Sequence, residues 1–158
     1  MNNVIESAVL DVWVRHVCAA YGRATYLLSG WTEADERACL TANEAACLLS
    51  DPHGPIAAKR LDVGCREVQF VDVRSERAWA RSSVQGALHL PVRNAGLPRS
   101  VAAAGLKSSA IIVLFCVAGD RARRAAGRLR ELGFVNVFFV WSGGFYNLRH
   151  ALQGNRSL

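Results

Sequence analysis

One stretch near the middle of the chain restricts the possible folds more than any other. Residues 110–115 are wholly apolar and rich in β-branched side chains, and they run into a cysteine and a short loop. Such a run is typical of a strand buried on both faces of a parallel sheet. Residues 121–132 then place five small or apolar side chains on one helical face, namely Ala122, Ala125, Ala126, Leu129 and Leu132. Cys116 is therefore predicted to lie where a central strand ends and a helix begins.

This predicted position favours a reactive thiolate. Ligands of open α/β sheets bind outside the carboxyl ends of the strands. Backbone N–H groups of the loop and of the first helical turn would point at the sulfur there, and the helix dipole would favour its negative charge. Thiolates formed in such surroundings are the nucleophilic form of cysteine. We therefore expect Cys116 to act as a nucleophile.

The loop and three further blocks resemble a known family. Residues 116–121 read Cys-Val-Ala-Gly-Asp-Arg, which resembles the Cys-x-x-Gly-x-Arg active-site loop of rhodanese-type sulfurtransferases. Residues 70–74 resemble the family's Asp-Val-Arg strand end, and residues 86–91 resemble its Gly-Ala-x-x-x-Pro strand. Residues 133–137, with the pair Gly143-Gly144, resemble its closing Gly-x-x-Asn-Val and Gly-Gly motifs. The four blocks occur in the family's order and extend over residues 38–152.

The resemblance implies both a fold and a reaction. The implied fold is the rhodanese-like α/β fold, a central parallel sheet of about five strands with helices on both faces. The implied enzyme moves sulfane sulfur from a small anionic donor such as thiosulfate, through a persulfide on Cys116. The acceptor would be a thiol, cyanide or a sulfur-relay protein. The resemblance implies no cofactor and no metal.

The resemblance also assigns roles to particular residues. Cys116 is the catalytic residue, and the substrate-binding residues are those of its loop, Val117, Ala118, Gly119, Asp120 and Arg121. Loop N–H groups can form an anion-binding nest, Gly119 permits a positive φ, and Arg121 supplies planar donors and a fixed charge. The supporting residues are Asp72 and Arg74, which orient the loop, and Gly143 and Gly144, which line the pocket together with Trp141.

Some residues depart from the family pattern or lie outside its motifs. Asp120 places a carboxylate inside the loop, where it is expected to oppose Arg121 and to weaken thiosulfate binding. Arg77 stands where an acidic residue often pairs with the arginine equivalent to Arg74. Four further arginines are predicted to form a solvated face of the helix after the loop: Arg123, Arg124, Arg128 and Arg130.

The remaining elements follow from local patterns. Thr41 and Glu44 form a capping-box sequence at the start of a helix, and Ser75 can cap a short helix over residues 76–81. Strands are predicted over residues 68–73, 87–90 and 136–140, in addition to the strand before Cys116. Further helices are predicted over residues 98–106 and 143–152.

The chain is predicted to hold one main domain with an extension at each end. Residues 1–35 are interpreted as an N-terminal helical extension, because apolar residues between positions 4 and 20 recur at helical spacing. This extension either packs on the domain or docks a partner or a second subunit. Residues 36–153 form the rhodanese domain, and residues 154–158 form a C-terminal tail.

Composition restricts the compartment and the partners. The five cysteines are odd in number and have no Cys-x-x-Cys spacing, which favours a reducing compartment over a disulfide framework or a zinc site. The cytoplasm is expected, with the mitochondrion as the alternative. The net charge of +6 suits attraction of small anions, and no basic block alternates with aromatics as a nucleic-acid surface requires. No uncharged apolar run approaches the roughly 18 residues that a membrane helix needs.

Two other functions stay open on the sequence. A Cdc25-like phosphatase or arsenate reductase shares this fold, but its loop resembles Cys-x5-Arg, whereas four residues separate Cys116 from Arg121 here. The pocket of the shorter loop is expected to be too small for a tetrahedral oxyanion. The other alternative is a non-catalytic or regulatory rhodanese module, and the presence of the cysteine argues against it.

Overall fold

The computed structural model describes residues 31–55, 61, 64, 66–92, 97–141 and 143–154. Helices and strands alternate along this part of the chain. The strands are β1 (Cys39–Leu40), β2 (Val68–Asp72), β3 (Leu88–His89), β4 (Ile111–Phe115) and β5 (Val137–Val140). The helices are α1 (Glu33–Ala38), α2 (Ala42–Ser50), α3 (Glu76–Arg81), α4 (Leu97–Ala104), α5 (Asp120–Glu131) and α6 (Gly144–Gly154).

The five strands form one parallel sheet in the order β1-β5-β4-β2-β3. From β2 the chain moves outward to β3, then crosses to β4 and continues in the opposite direction to β5. The order therefore reverses between β2 and β4, and this reversal is the topological switch point of the sheet. The predicted parallel sheet of about five strands is confirmed, and so are helices on both of its faces.

Strand β4 is buried on both faces, as its composition predicts. All five of its side chains have a relative exposure of 0%. Ile112 and Leu114 belong to a core cluster that includes the buried face of α5. Ile111, Val113 and Phe115 point into a second cluster, which contains the buried residues of α2 and α6. The alternation along one strand therefore places a hydrophobic core on each side of the sheet.

Helix α5 packs its small side chains against the sheet. Ala122, Ala125, Ala126 and Leu129 are each 0% exposed, so four of the five residues predicted for the buried face lie there. Leu132 is 44% exposed, and its predicted burial is wrong. Leu132 lies at the C-cap, one residue past the helix, and the chain turns away at Gly133 with a φ of 92°.

Capping interactions fix where the helices begin. Both halves of the predicted capping box of α2 are present, since Thr41 Oγ1 accepts from the Glu44 N–H at 3.1 Å and Glu44 accepts from the Thr41 N–H at 2.9 Å. Ser75 caps α3, also as predicted. Thr32 and Asp35 form an equivalent box at the start of α1, which the sequence analysis missed. Asp replaces the usual Glu or Gln in that box.

Other predicted bounds are close to those observed, with two local exceptions. Strand β3 is two residues long instead of four, and α6 continues to Gly154, two residues beyond its predicted end. The two-residue strand β1 was not predicted, because so short a segment carries no period of its own. The predicted helix within residues 1–30 and the tail after residue 154 lie outside the described residues, and α1 crosses the predicted division at residue 35.

At the sheet edge opposite the carboxyl ends of the strands, an exposed ion pair joins the start of β2 to the segment after α4. Lys107 Nζ bonds to Glu67 Oε2 at 2.6 Å, and this hydrogen bond holds the pKa of the Glu67 carboxyl below its ordinary value. Among the described helices, none is long and apolar enough to cross a membrane.

Candidate active site

Cys116 follows the last residue of β4 at the switch point of the sheet. Asp72, the last residue of β2, is in register with Phe115, the last residue of β4. The ladder continues one step further, because the Val73 N–H donates to the Phe115 carbonyl at 3.0 Å. The carboxyl ends of the two central strands therefore meet directly beneath Cys116, at the edge where open α/β sheets bind ligands.

The loop after Cys116 curls back on the sulfur. The Gly119 N–H donates to Cys116 Sγ at 3.1 Å. Gly119 has a φ of 99° and is the N-cap of α5, so the tight curl depends on a backbone conformation that side chains disfavour. The sulfur thus lies at the N-terminus of a twelve-residue helix, where N–H groups and the helix dipole favour negative charge.

The predicted substrate-binding residues run from the sulfur, through the curl, into the first turn of α5. Cys116 itself is 3% exposed, whereas Val117 and Ala118 on the outside of the curl are exposed. Asp120 and Arg121 form the first turn of α5, and Arg121 is exposed. The structure therefore brings together all six residues that the loop motif singles out.

A buried ion pair lies next to the loop. Asp72 is fully buried, and Arg74 is 6% exposed. Arg74 Nε lies 2.9 Å from Asp72 Oδ2 and 3.0 Å from Oδ1, and Arg74 Nη2 donates to Oδ2 at 2.7 Å. Asp72 also accepts the Arg74 backbone N–H at 2.9 Å, and Arg74 Nη2 donates to the Ser82 carbonyl at 2.6 Å. The pair therefore ties the end of β2 to the segment that follows α3.

The Asp72–Arg74 pair explains how Arg74 has a carboxylate partner although Arg77 replaces the acidic residue that the family often has. An acidic residue at that position is not needed for Arg74, because Asp72 occupies its guanidinium from two residues upstream. Arg77 is exposed on α3. His89 adds a further contact to this corner, since its Nε2 lies 3.0 Å from the Arg74 carbonyl and its ring stacks on Trp79.

Phe145 links the ion pair to the cysteine loop. The Arg74 Cζ lies 3.3 Å from the centroid of the Phe145 ring, a cation–π contact in a buried setting. The Phe145 N–H donates to the Cys116 carbonyl at 3.0 Å. One residue at the start of α6 therefore contacts both the Arg74 guanidinium and the backbone of Cys116.

The two glycines before Phe145 permit this close approach. A Cβ on Gly144 would lie 3.0 Å from the Cys116 carbonyl oxygen and 3.2 Å from the Phe115 and Val140 side chains. Gly143 has a φ of 65°, and its carbonyl accepts from Asn147 Nδ2 at 2.9 Å. Gly144 therefore lies directly against the Cys116 carbonyl, but neither glycine is among the residues that line the adjoining pocket, where the sequence had placed them. Trp141 does not line the adjoining pocket and packs edge-on against Trp31, 4.8 Å between ring centroids.

A cavity of about 370 Å³ opens beside the loop, and we call it the arginine pocket. Its walls come from the loop, from the segment around α3 and from the first turns of α6. The lining residues are Arg74, Ser75, Ala78, Arg81, Ser82, Val117, Arg121, Phe145, Tyr146 and Arg149. Arg81, Arg149 and Phe145 were not predicted as site residues, because only the folded chain brings α3 and α6 beside the loop.

The Asp120 carboxylate forms ion pairs with arginines of α5 and does not lie beside Arg121, where it had been expected. Asp120 Oδ2 lies 2.6 Å from Arg124 Nη2, and Oδ1 lies 3.6 Å from Arg123 Nη2. The expectation that this carboxylate opposes Arg121 is therefore not supported by the geometry. Its charge is instead compensated one helical turn further along α5.

Two of the arginines predicted to be solvated are partly buried. Asp35 of α1 accepts from Arg130 Nη1 at 3.0 Å and lies 3.6 Å from Arg123 Nη1. The Arg123 and Arg130 side chains are 12% and 23% exposed, whereas that of Arg124 is 69% exposed. The solvated-face prediction is thus wrong for Arg123 and Arg130, which anchor α1 to α5. The described residues contain no cluster of three side chains that could hold a metal ion.

Comparison with known sequences decides the family. A sequence profile of the rhodanese-like domain family matches residues 57–151, more than half of the chain. The chain belongs to the rhodanese-like domain family. No curated protein matches the chain significantly.

Comparison with solved structures gives several similar chains, all of them under 25% identical to this one. One is the rhodanese-like domain of a protein from Anabaena sp., with a TM-score of 0.53 and 17% identity over 73% of this chain and 74% of that one. The polysulfide-sulfur transferase homodimer from Wolinella succinogenes gives 0.49 and 20% over 88% and 86%. A human single domain sulfurtransferase gives 0.46 and 21% over 70% and 93%.

In this rhodanese-like domain, the buried ion pair generates a prediction about stability. Arg74→Gln leaves the Asp72 carboxylate buried without its main counter-charge. Breaking such a pair costs about 3–5 kcal/mol, so the free energy of unfolding, measured by urea denaturation, should fall by that amount. Arg37→Gln is the matched control, because Arg37 pairs with Glu33 at 3.8 Å on the surface. Equal losses for the two variants would contradict the role given to the buried pair.

The close approach at Gly144 generates a second prediction. Gly144→Ala forces a methyl group against the Cys116 carbonyl, and overpacking of this kind costs about 1–3 kcal/mol. The displaced loop should also change the rate at which a small disulfide reagent modifies Cys116. Gly127→Ala on α5 is the control, because nothing lies within 4 Å of its added Cβ. That change should stabilise the domain by about 0.5–1 kcal/mol, and a stabilising Gly144→Ala would contradict the proposed close contact.

Proposed function

We propose that this rhodanese-like domain is a sulfurtransferase that carries sulfane sulfur on Cys116. The observation that supports this most is the 3.1 Å contact between the Gly119 N–H and Cys116 Sγ at the N-terminus of α5. An N–H donor at a helix N-terminus suits the anionic outer sulfur of a persulfide formed at this position. The catalytic residue in this proposal is Cys116.

The first half-reaction loads the cysteine. The Cys116 thiolate attacks the sulfane sulfur of an anionic donor such as thiosulfate, and a new S–S bond forms. The S–S bond of thiosulfate breaks, and sulfite leaves with the bonding electron pair. The product is a persulfide on Cys116, and the total negative charge is the same on both sides.

The second half-reaction transfers the sulfur from Cys116 to an acceptor. An acceptor nucleophile, a thiolate or cyanide, attacks the outer sulfur of the persulfide. The S–S bond to Cys116 breaks, and the thiolate returns as leaving group, ready for another donor. Two displacements that share one covalent intermediate give ping-pong kinetics.

The rest of the loop binds the donor in this proposal. The backbone N–H groups of Val117, Ala118 and Asp120 belong to the curl that surrounds the sulfur and form an anion nest. Arg121, exposed in the first turn of α5, supplies donors for the sulfonate oxygens. Asp72, Arg74 and Gly144 support the loop from below through the contacts described above, and Gly143 supplies the positive φ with which the chain enters α6.

The size of the loop favours sulfur transfer over phosphate or arsenate chemistry. Gly119 already caps α5 and contacts the sulfur, so the helix begins four residues after Cys116. A tetrahedral oxyanion needs a wider ring of N–H groups around it than this curl provides. Sulfane sulfur adds a single atom to the thiol and fits the tighter loop.

The cytoplasm, or another reducing compartment, suits this chemistry. No disulfide joins Cys39, Cys47 and Cys116 in the described part of the chain. A persulfide carrier needs its nucleophile as a thiol between cycles, and reducing compartments maintain that state. The proposed partners are a small anionic sulfur donor and a thiol or cyanide acceptor, or a sulfur-relay protein in the place of the acceptor.

The first prediction of this proposal concerns the nucleophile. Cys116→Ser should abolish sulfur transfer and leave the fold intact, because a hydroxyl without an adjacent base is a poor nucleophile. Intact mass after incubation with thiosulfate should show one added sulfur atom on the parent protein and none on the variant. Cys47→Ser, at an exposed thiol, is the matched control and should load as the parent does. A Cys116→Ser protein that still turned over at the parent rate would refute the proposal.

The second prediction concerns the carboxylate in the loop. Because Asp120 is paired with Arg124 and Arg123, Asp120→Asn should change the KM for thiosulfate by less than about threefold, a free energy under 1 kcal/mol. Arg121→Gln is the comparison and should raise that KM by about tenfold or more, since it removes a charged donor. A KM that falls sharply in Asp120→Asn would show that the carboxylate repels the donor after all.

A further inference from the structure

Asp35 of α1 provides a buried carboxylate that faces helix α5. The residue is 5% exposed. Its Oδ1 accepts from Arg130 Nη1 at 3.0 Å, and its Oδ2 accepts the Thr32 N–H at 3.1 Å within the capping box of α1. Oδ2 also lies 3.6 Å from Arg123 Nη1. Because the capping box and Arg130 both hold this carboxylate, it is a fixed negative charge beside Arg123.

Arg123 bridges that carboxylate to the first turn of α5. Its Nη1 lies 3.6 Å from Asp35 Oδ2, and its Nη2 lies 3.6 Å from Asp120 Oδ1. Its Cζ lies 5.8 Å from the centroid of the buried Trp31 ring, within the range of cation–π contacts. The Arg123 side chain is 12% exposed. Its guanidinium is therefore an enclosed, permanently charged group held between two carboxylates.

The other partner of Asp120 is held less firmly. Arg124 Nη2 lies 2.6 Å from Asp120 Oδ2, but the Arg124 side chain is 69% exposed. Pairs between exposed side chains are screened by water and lose side-chain entropy, so they contribute little. Of the two arginines, Arg123 is the one whose position is determined by packing against the residues of α1.

The direction of the Asp120 carboxylate matters because of where α5 begins. Asp120 directly follows Gly119, whose N–H donates to Cys116 Sγ, and it directly precedes Arg121. The Asp120 side chain is 46% exposed, so it has room to rotate. A carboxylate turned toward the loop would repel an anion that approaches Cys116. The pair with Arg123 directs it along α5 instead.

We propose that Arg123 is a positioning residue that holds the Asp120 carboxylate away from the cysteine loop, so that anions can approach Cys116. Arg123 acts through Asp120 and not through contact with the anion. Trp31 and Asp35, which fix Arg123, lie upstream of residues 57–151, the segment that the family profile matches. Where the anion is the sulfur donor, this inference rests on the function proposed above.

The test compares an anionic reagent with a neutral one at the same sulfur. The full chain reacts with iodoacetate or iodoacetamide, and each rate is followed by mass on the peptide that contains Cys116. Both reagents consume the same thiolate, so the ratio of their rates reports the charge that an incoming anion meets. Arg123→Gln should lower the iodoacetate-to-iodoacetamide ratio by about threefold, the effect of one partly screened charge.

Arg130→Gln is the matched control for the contact between α1 and α5. Arg130 shares the Asp35 carboxylate with Arg123, but its own ion pair is with Asp35 and not with Asp120. Arg130→Gln should therefore weaken the docking of α1 and leave the reagent ratio unchanged. An equal fall of the ratio in both variants would overturn the proposal, since it would reduce Arg123 to an anchor for α1.

A double-mutant cycle separates positioning from the simple loss of a charge. Asp120→Asn alone should change the ratio by less than about 1.5-fold, whereas in the Arg123→Gln background it should restore most of the threefold loss. Equal effects in both backgrounds would overturn the proposal, because Arg123 would then not control the carboxylate.

Two exposed positions test the proposal even if Arg123→Gln does not fold. Asp120→Asn and Arg124→Gln, each made in the parent chain, should leave the ratio within about 1.5-fold. A threefold rise in Asp120→Asn would show that the carboxylate already faces the loop. A threefold fall in Arg124→Gln would show that Arg124 is the residue that holds it. Either result would overturn the assignment to Arg123.

The alkylation ratio and sulfur loading can fail separately. Alkylation needs no sulfur transfer, so a parent protein that takes up no sulfur from thiosulfate would refute the proposed function without altering the ratios. With the loading reaction, Arg123→Gln should raise the KM for the thiosulfate dianion by about threefold or more, and Arg130→Gln should leave it unchanged. A KM that Arg123→Gln does not change would overturn the inference for the sulfur donor.

Discussion

The buried pair of Asp72 and Arg74 is the interaction on which the geometry around Cys116 depends. A buried ion pair adds little net stability, because the cost of desolvating both charges offsets their attraction. Moving either partner leaves a buried charge without its counter-charge, so the pair fixes the relative position of the segments that carry it. Arg74 donates hydrogen bonds to Asp72 and to the Ser82 carbonyl. Its Cζ lies 3.3 Å from the centroid of the Phe145 ring. Phe145 in turn holds the Cys116 carbonyl. The end of β2, the segment after α3, the start of α6 and the cysteine loop are therefore positioned by one guanidinium.

How far the sequence predicts this structure depends on how local each interaction is. Strand β4 and helix α5 were predictable, because their burial patterns have a clear period and the alanines can lie only against the sheet. The loop residues followed from a motif, since Gly119 and Arg121 act within five positions of Cys116. Asp35 and Arg130 were not predictable as partners, because 95 residues separate them and the helical pattern alone places Arg130 in solvent. Arg81 and Arg149 were missed for the same reason.

The sequence places Asp120 in the loop, but it does not predict which side chain the carboxylate pairs with. A carboxylate at the first position of a helix is favoured by the dipole, and it needs no partner in the loop. Arg124 lies one turn further along, where an i, i+4 pair forms, and the observed distance is 2.6 Å. Asp120 lies four residues after Cys116 and three before Arg123 in the sequence. Whether its carboxylate points toward the sulfur or toward Arg123 depends on the side-chain conformation, which this spacing does not determine. The positive charge of Arg121 is consequently retained at the mouth of the loop.

In the proposed function, one arginine positions the cysteine loop and other arginines supply the positive charge of the pocket. Arg74 is neutralised and enclosed, so its loss would disturb the loop itself, whereas Arg81, Arg121 and Arg149 face the cavity from exposed positions. Exposed arginines on α3 and α6 can change without breaking the contacts that hold Cys116, since none of those contacts runs through their side chains. Cys116 lies at the switch point of the sheet with its backbone carbonyl held by Phe145, whereas the charges on α3 and α6 lie at the surface. The residues that hold the backbone of Cys116 and the residues that set the charge of the arginine pocket are therefore different, and the loop motif contains only Arg121 of the exposed pocket arginines.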